Sequence, residues 1–136
     1  MILYTGGKYQ GKTKCILDDG KYSEADFFDF SRINSIEYAN SGIDYREKKV
    51  WLNIDEYIRS LALSGTDLNA VIMTVKGLMK NCKPEIITVA EVGAGIIPIN
   101  KSENVFREAC GRLSVELAES ADEVYRVICG IKMKIK

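Results

Sequence analysis

The sequence predicts an α/β domain with a mainly parallel central sheet, helices on both faces and a C-terminal edge strand. Short apolar runs of strand length alternate with segments of helical periodicity along the 136 residues. The run EIITVA at residues 85–90 is apolar or β-branched at nearly every position, which is typical of a central parallel strand. The terminal KMKIK at residues 132–136 alternates lysine with apolar residues, which indicates an exposed edge strand.

The amino-terminal half predicts three strands and three helices. The strands cover residues 1–5 (MILYT), 25–30 (ADFFDF) and 49–54 (KVWLNI). The helices cover residues 12 to about 18, a weaker segment at 32–40 that is followed by a loop at Ser41-Gly42, and about 55–63. One face of the last helix would pack on the sheet, and it carries Tyr57, Ile58, Leu61 and Ala62.

The carboxyl-terminal half predicts two more helices and three strands. Ser64-Gly65-Thr66 breaks the preceding helix, and Thr66 or Asp67 can cap the next one, in which apolar residues recur at helical spacing from Leu68 to Met79. The strands cover residues 85–90, 123–129 and 132–136. A long helix over residues 102–120 would direct four residues inward: Phe106, Cys110, Leu113 and Leu117.

Composition excludes some classes of function. The chain contains no histidine, which excludes a serine–histidine catalytic triad and most zinc sites. Nineteen basic residues balance nineteen acidic ones, so we expect neither a nucleic-acid partner nor attraction to anionic membranes. Without a span-length apolar run or a leader pattern, we expect one cytoplasmic domain over residues 1–136. Its four scattered cysteines are expected to be buried thiols.

Residues 6–13 (GGKYQGKT) match the phosphate-binding pattern G-x-x-x-x-G-K-[ST], between a predicted strand and a predicted helix. In such a loop, backbone N–H groups converge on phosphate oxygens and the helix directs its N-terminal dipole at the anion. Lys12 would reach the terminal phosphates of ATP or GTP, and the Thr13 hydroxyl would hold Mg²⁺. We therefore predict a P-loop NTPase-like three-layer domain. The residues expected to contact the nucleotide are Gly6, Gly7, Lys8, Tyr9, Gln10, Gly11, Lys12 and Thr13.

An acidic residue near a neighbouring strand end is needed to organise the metal, and three candidates lie near or just after the ends of predicted strands. Asp29 lies one residue before the end of the FFDF run, Asp55 follows KVWLNI, and Glu91 follows IITVA. Asp55 could equally be the N-cap of the helix that it opens. Glu91 enters a glycine loop at the edge where parallel sheets gather ligands, so we favour it as functional. The predicted catalytic residues are thus Lys12 and Glu91, and the predicted metal ligands are Thr13 and Asp55.

Three later segments carry a family resemblance: EVGAGIIP at residues 91–98, VFREACGR at 105–112 and ADEVYRVICGIKMKIK at 121–136. Their order, together with Thr5-Gly6-Gly7 at the start of the glycine loop, resembles the adenosylcobinamide kinase/adenosylcobinamide-phosphate guanylyltransferase family of cobalamin biosynthesis. The resemblance is dense at the two ends of the chain and vague between them.

The resemblance implies a P-loop fold of mixed sheet, assembled as a homo-oligomer, often a trimer, and a two-step activity. The hydroxyl of the corrinoid's aminopropanol arm is phosphorylated by ATP or GTP, and GMP is then transferred from GTP onto that phosphate. Arg107 would support charge at this site, although a helix-surface role is the alternative. The other positions carried over are Gly6, Gly11, Lys12 and Thr13 for the triphosphate and metal, and Glu91, Gly93 and Gly95 for the loop facing it.

The chain also departs from the family pattern. The family's guanylyl transfer uses a histidine that takes GMP covalently, whereas this chain has no histidine and is shorter in that middle region. The spacing gives no support to Tyr45 or Lys48 as a replacement nucleophile. The resemblance therefore implies a retained kinase step more than a guanylyl transfer. Further family positions have changed, at Gln10, Asn53, Ala90 and Ser114-Val115.

Three functions remain open on these observations. The first is an enzyme that retains the kinase half of the family's activity. The second is a nucleotide-binding module without turnover, favoured by the missing histidine and the changed positions. The third is a different small P-loop kinase or NTPase that shares only descent with the family. Nucleic-acid binding through KMKIK is disfavoured, because alternating lysines are typical of the solvent face of an edge strand.

Overall fold

The computed structural model describes residues 1–32, 45–93 and 100–136. Within these residues lie six strands: β1 (Ile2–Thr5), β2 (Phe27–Asp29), β3 (Val50–Leu52), β4 (Ile86–Thr88), β5 (Glu123–Ile128) and β6 (Ile131–Lys134). The same residues contain four α-helices: α1 (Lys12–Asp18), α2 (Ile54–Leu63), α3 (Leu68–Cys82) and α4 (Lys101–Ser120).

The six described strands form one sheet in the order β2-β3-β4-β1-β5-β6. Strands β1 to β5 all run parallel to one another, and β6 pairs antiparallel with β5. The central strand β1 pairs with β4 on one side and with β5 on the other, and Leu3 lies opposite Ile87 and Val124. The carboxyl ends of these three strands therefore meet at one edge of the sheet, where ligands bind in open parallel sheets.

Two apolar clusters lie on opposite faces of the sheet and confirm the three-layer α/β architecture. The larger one packs strand residues against α2, α3 and α4, and it contains Leu3, Trp51, Ile87, Ile58, Val71, Val75, Leu113 and Leu117 among others. The smaller one packs the other face against α1, and it contains Tyr4, Val50, Val127, Cys15 and Ile16 among others. The inward residues predicted for the long helix are all buried. Burial of these side chains is the main favourable contribution to folding.

Local signals set the ends of α3 and α4. The Asp67 carboxylate accepts hydrogen bonds from the backbone N–H groups of Asn69 and Ala70, so Asp67 is the N-cap, one of the two predicted alternatives. Helix α3 ends at Lys83, which adopts a left-handed conformation before Pro84. Asn100 caps α4 by accepting from the N–H of Glu103.

Helix α2 begins differently from the prediction. The residue that precedes it is Asn53, in a left-handed conformation with φ 57°, and Asp55 lies in the first helical turn. The alternative in which Asp55 is the N-cap is therefore wrong. Instead, the Asp55 side chain is directed into the protein, toward the end of β4. Acidic residues in a first turn also interact favourably with the helix dipole.

Strand β2 is shorter than the predicted strand at residues 25–30. It lies between 3₁₀ turns at Glu24–Asp26 and Phe30–Arg32. The strand ends at Asp29 because its carboxylate accepts from both the backbone N–H and the hydroxyl of Ser31, which bends the chain. Arg32 closes the second turn, and the rest of the predicted helix at 32–40 and the Ser41-Gly42 loop lie outside the described residues.

The prediction for the C-terminal edge strand is confirmed, with one difference. Strand β6 is exposed on both faces, so Ile131 and Met133 are exposed along with the lysines. Lys132 pairs with Asp19, and Lys134 pairs with Glu123. The alternating sequence thus correctly predicts a strand. Both of its faces are exposed because β6 is the outermost strand of the sheet.

The four cysteines are free thiols, and one of them contradicts the expected burial. Cys15 and Cys110 are buried and Cys82 is half-buried, but Cys129 is exposed in the turn between β5 and β6. Cys129 has a positive φ of 50°, and Gly130 follows it with φ 79°. The hairpin turn requires these two conformations, and a turn at the sheet edge is open to solvent.

Candidate nucleotide-binding site

The glycine loop joins β1 to α1 as the sequence predicts. Gly6 has φ 134° and Gly11, which immediately precedes α1, has φ 91°, so both adopt conformations that favour glycine. The space around Gly6 imposes a second requirement. A Cβ atom at Gly6 would lie 2.2 Å from the carbonyl oxygen of Val127 in β5. The loop therefore begins in direct contact with the backbone of the neighbouring strand.

We expect Gly6→Ala to lower the free energy of unfolding by about 3 kcal/mol, since it combines backbone strain with a clash against an immobile carbonyl. Urea denaturation monitored by circular dichroism would measure the loss. Gly77→Ala is the matched control, because a Cβ there meets nothing within 4 Å in the middle of α3. The control should gain about 0.5–1 kcal/mol from helix propensity. Equal stability of Gly6→Ala and wild type would contradict the close approach.

The far end of the loop is fixed by the β5–β6 turn. The Gln10 carbonyl accepts from the N–H of Gly130 at 2.9 Å, and its side-chain oxygen accepts from the N–H of Cys129 at 2.6 Å. A Cβ at Gly11 would lie 3.2 Å from the Cα of Gly130. The amide oxygen of Gln10, predicted among the nucleotide contacts, thus holds the loop onto the hairpin. Cys129 and Gly130 were not predicted as part of the site, although a glycine directly after a predicted strand was a signal for this turn.

Lys12 lies over the glycine loop. Its ammonium donates to the carbonyl oxygens of Gly6 at 3.1 Å and Gly7 at 2.9 Å, and the residue is only 6% exposed. Burial lowers the pKa of Lys12, and the negative charges of Asp55 and Glu91 oppose that change. A cation is therefore held at the mouth of the loop, with two carboxylates in its electrostatic range.

Asp55 is the buried carboxylate of this pair. It is 1% exposed, and its Oδ1 accepts from the backbone N–H of Ala90 at 2.9 Å. Burial raises the pKa of Asp55, while the hydrogen bond from Ala90 acts in the opposite direction. Because Ala90 follows β4, Asp55 links α2 to the strand next to β1. The thiol of Cys110 lies nearby, and burial together with the Asp55 charge raises its pKa to about 12.

Glu91 is fixed through its backbone and its side chain. Its N–H donates to the carbonyl oxygen of Gly6 at 3.1 Å. Its carboxylate binds Arg126 of β5 through two hydrogen bonds, from Nε to Oε1 at 2.7 Å and from Nη2 to Oε2 at 2.9 Å. Arg126 was not predicted as part of the site, although a charged residue inside a predicted core strand is an unusual feature.

The segment after Glu91 is held by α4. Arg107 donates from Nη2 to the carbonyl oxygen of Gly93 at 2.9 Å, so its contact is with the predicted loop. Gly93 has φ 115°. Gly95, the other loop glycine predicted for the site, lies outside the described residues.

The remaining loop residues differ in exposure. Lys8 forms an ion pair with Glu56 of α2, which connects the loop to the helix that carries Asp55. Tyr9 is 100% exposed at the loop tip, with φ 60°. Thr13 is half-buried at the second position of α1. The charge of Lys8 also acts on both Lys12 and Asp55.

Asp29 belongs to a separate polar network. Its Oδ1 accepts from the Asn53 side chain at 2.8 Å, and the Asn53 N–H donates to the Thr88 hydroxyl at 2.7 Å. These residues connect the ends of β2, β3 and β4. Since β2 is separated from β1 by two strands, Asp29 lies on the order of 14 Å from the strand that carries the glycine loop.

Tyr45 and Lys48 take part in contacts at the β2–β3 edge of the sheet. The Tyr45 ring packs on Phe28 and Trp51, with centroid separations of 5.7 and 6.1 Å. The Lys48 ammonium donates to the carbonyl oxygen of Ala25 at 2.6 Å. These contacts give no support to either residue as a nucleophile at the glycine loop.

The described part of the chain contains no group of three or more histidine, cysteine or acidic side chains positioned to hold an ion. In residues 1–32, 45–93 and 100–136, no helix is both long and apolar enough to cross a membrane.

Comparison with known proteins gives one family and two relatives. Residues 47–135 match the model of the family described as cobinamide kinase / cobinamide phosphate guanyltransferase. The bifunctional adenosylcobalamin biosynthesis protein CobU of Escherichia coli (strain K12) is 37% identical over 70 residues, which are 51% of this chain and 39% of that protein. The protein of the same name from Salmonella typhimurium (strain LT2) is 43% identical over 58 residues, 42% of this chain and 32% of that protein. The matches thus span less than half the length of these relatives.

Proposed function

The chain belongs to the cobinamide kinase / cobinamide phosphate guanyltransferase family, and from this premise we propose that it is a phosphotransferase that binds ATP or GTP with Mg²⁺ and phosphorylates adenosylcobinamide. The matched span contains Asp55, Glu91 and Arg126 but begins after the glycine loop. The proposal therefore depends on the geometry that brings the loop and the matched span together.

The observation that carries the proposal is the shared carbonyl oxygen of Gly6. It accepts from the Lys12 ammonium and from the N–H of Glu91, both at 3.1 Å. Phosphoryl transfer demands little covalent chemistry from a protein and depends on positioning and on stabilisation of charge. Lys12 and the backbone of Glu91 are both bound to this one oxygen atom, and this shared contact supplies such positioning.

The described residues fit a magnesium ion accompanied by phosphates. The Thr13 hydroxyl and the Asp55 carboxylate would hold it, and the ion would neutralise charge that develops on the phosphate oxygens. The positive charge would also offset the cost of burying the Asp55 carboxylate. Lys12 would bind the terminal phosphates, and Glu91 would face the acceptor hydroxyl.

Guanylyl transfer is the less favoured half of the family's activity for this chain. The resemblance assigns that step to a histidine that carries GMP, and the 136 residues contain none. Tyr45 and Lys48 are engaged elsewhere in the sheet. We therefore assign the kinase step to this chain and no covalent guanylyl intermediate.

The test is transfer of label from γ-labelled ATP or GTP to adenosylcobinamide in the presence of Mg²⁺, with the Escherichia coli relative as positive control. We expect a labelled corrinoid phosphate. A corrinoid that stays unlabelled while the control reacts would contradict the proposal. In parallel, α-labelled GTP should leave no acid-labile label on the chain, and a stable adduct would contradict our exclusion of a covalent intermediate.

Two alternatives have distinct outcomes in the same assay. A nucleotide-binding module would bind ATP or GTP without turnover, and it is favoured by the missing histidine and the changed family positions. A different small P-loop kinase or NTPase would consume nucleotide but leave the corrinoid unlabelled, and a panel of hydroxyl acceptors would identify its substrate.

A further inference from the structure

Arg126 lies at the point where β5 meets the beginning of the glycine loop. It is registered opposite Thr5, the last residue of β1, and Val127 beside it contacts Gly6. Its guanidinium binds the Glu91 carboxylate with two nearly equal hydrogen bonds, at 2.7 and 2.9 Å. A side chain from β5 therefore reaches across β1 to the segment that follows β4.

Stability alone is a weak explanation for this ion pair. The two side chains are 45% and 39% exposed, and solvent screens a partly exposed pair, so even a bidentate contact contributes only modestly to the free energy of unfolding. The two-bond fork instead fixes the plane of the carboxylate, which a single contact cannot do. Its main consequence is orientation.

The fork leaves the carboxylate able to act. An ionised carboxylate has about four acceptor positions, of which the guanidinium occupies two. Each oxygen of Glu91 therefore keeps acceptor capacity for a further donor, such as a substrate hydroxyl. The N–H of Glu91 is fixed to Gly6 at the same time, so backbone and side chain are held relative to Lys12.

We propose that Arg126 is a positioning residue that orients the Glu91 carboxylate toward the phosphoryl acceptor, an inference that rests on the proposed phosphotransferase function. Arg126 acts through Glu91 and not as a phosphate-binding cation. The effect of removing Arg126 is consequently seen in turnover and not in nucleotide affinity.

A double-mutant cycle tests this assignment. Arg126→Met should lower kcat by up to about 100-fold, as a misplacement of about 1 Å can do, with the Kd of ATP or GTP changed less than about twofold because no nucleotide contact is lost. Arg126→Lys should recover only part of kcat, since an ammonium is a point charge and not a fork. In a Glu91→Gln background, Arg126→Met should produce no further loss of kcat.

Lys76→Met is the control, because it removes a half-exposed ion pair between α3 and α4, and its kcat should equal that of wild type.

Each contrary result has a definite meaning. Multiplicative losses in the double variant, or full recovery in Arg126→Lys, would overturn the inference. So would a weakened Kd with unchanged kcat in Arg126→Met, which would make Arg126 a nucleotide-binding cation. The cycle is measured on corrinoid phosphorylation and on nucleotide hydrolysis. If the protein only hydrolyses nucleotide, and Arg126→Met lowers hydrolysis in wild type but not in Glu91→Gln, the positioning role holds and the proposed acceptor is wrong. If wild type shows neither activity, both proposals fail.

Discussion

Lys12→Ala is expected to weaken the binding of ATP or GTP by about 100-fold, the loss typical of a charge-assisted contact, and to reduce phosphoryl transfer to background. Lys12 is the cation of the glycine loop, and its ammonium lies within 3.1 Å of the Gly6 and Gly7 carbonyl oxygens. The Gly6 carbonyl keeps its bond from Glu91 in the variant, so the fold should lose only about 1 kcal/mol.

Nucleotide titration with ATP and with GTP would measure this effect, and urea denaturation would show that the variant is folded. Lys14→Ala is the matched control, because Lys14 is an exposed lysine two residues further along α1. Its affinity should lie within about twofold of wild type. A folded Lys12→Ala variant with wild-type affinity would contradict the assignment of residues 6–13 as the nucleotide site. Binding that depends on Lys12 without turnover would favour the non-catalytic module.

Asp55→Asn is expected to lower Mg²⁺-dependent turnover by about 100-fold, since a metal ion can contribute several kcal/mol of charge stabilisation in the transition state. The amide can still accept the hydrogen bond from Ala90, so the fold should persist. Activity measured over a range of Mg²⁺ concentrations would show whether the variant requires more metal. Unchanged metal dependence would contradict the role of Asp55 as a ligand.

The free energy of unfolding of Asp55→Asn should also depend on pH differently from that of wild type. Burial raises the pKa of Asp55 above its ordinary value of 3.8, so its contribution to stability is complete below that value and is lost as the pH rises through the pKa of the folded state. Asparagine does not undergo this loss. Relative to wild type, Asp55→Asn should therefore gain stability as the pH rises above 3.8, as measured by urea denaturation at each pH.

Asp29→Asn distinguishes between the two aspartates that lie near the ends of the neighbouring strands β2 and β3. Asp29 accepts bonds from Ser31 and Asn53 in a network at the outer strands. The substitution should destabilise the fold by about 1 kcal/mol and leave Mg²⁺ dependence as in wild type. If Asp29→Asn required a higher Mg²⁺ concentration for activity, Asp29 and not Asp55 would be the metal ligand.

The helices of the second half were predictable because their determinants are local. Asp67 and Lys83-Pro84 bound α3 within its own segment, and the spacing of apolar residues identifies the buried faces of α3 and α4. The beginning of α2 was less predictable. Asn53 and Asp55 are both common at helix starts, and only contacts with Thr88 and Ala90 of another strand segment decide between them.

The glycine loop was predictable from local sequence, since the spacing from Gly6 to Thr13 and the flanking strand and helix lie within one continuous segment. The acidic residues that accompany the loop depend instead on how the strands are ordered in the sheet. The sheet order places β4 beside β1 and β2 at the far edge, which brings Asp55 and Glu91 into range of Lys12 and leaves Asp29 apart. The partner of Glu91, Arg126, comes from a strand 35 residues later. Parallel strands are joined by crossovers of about a dozen residues or more, so the side chains that meet at their ends come from segments that no local pattern relates to one another.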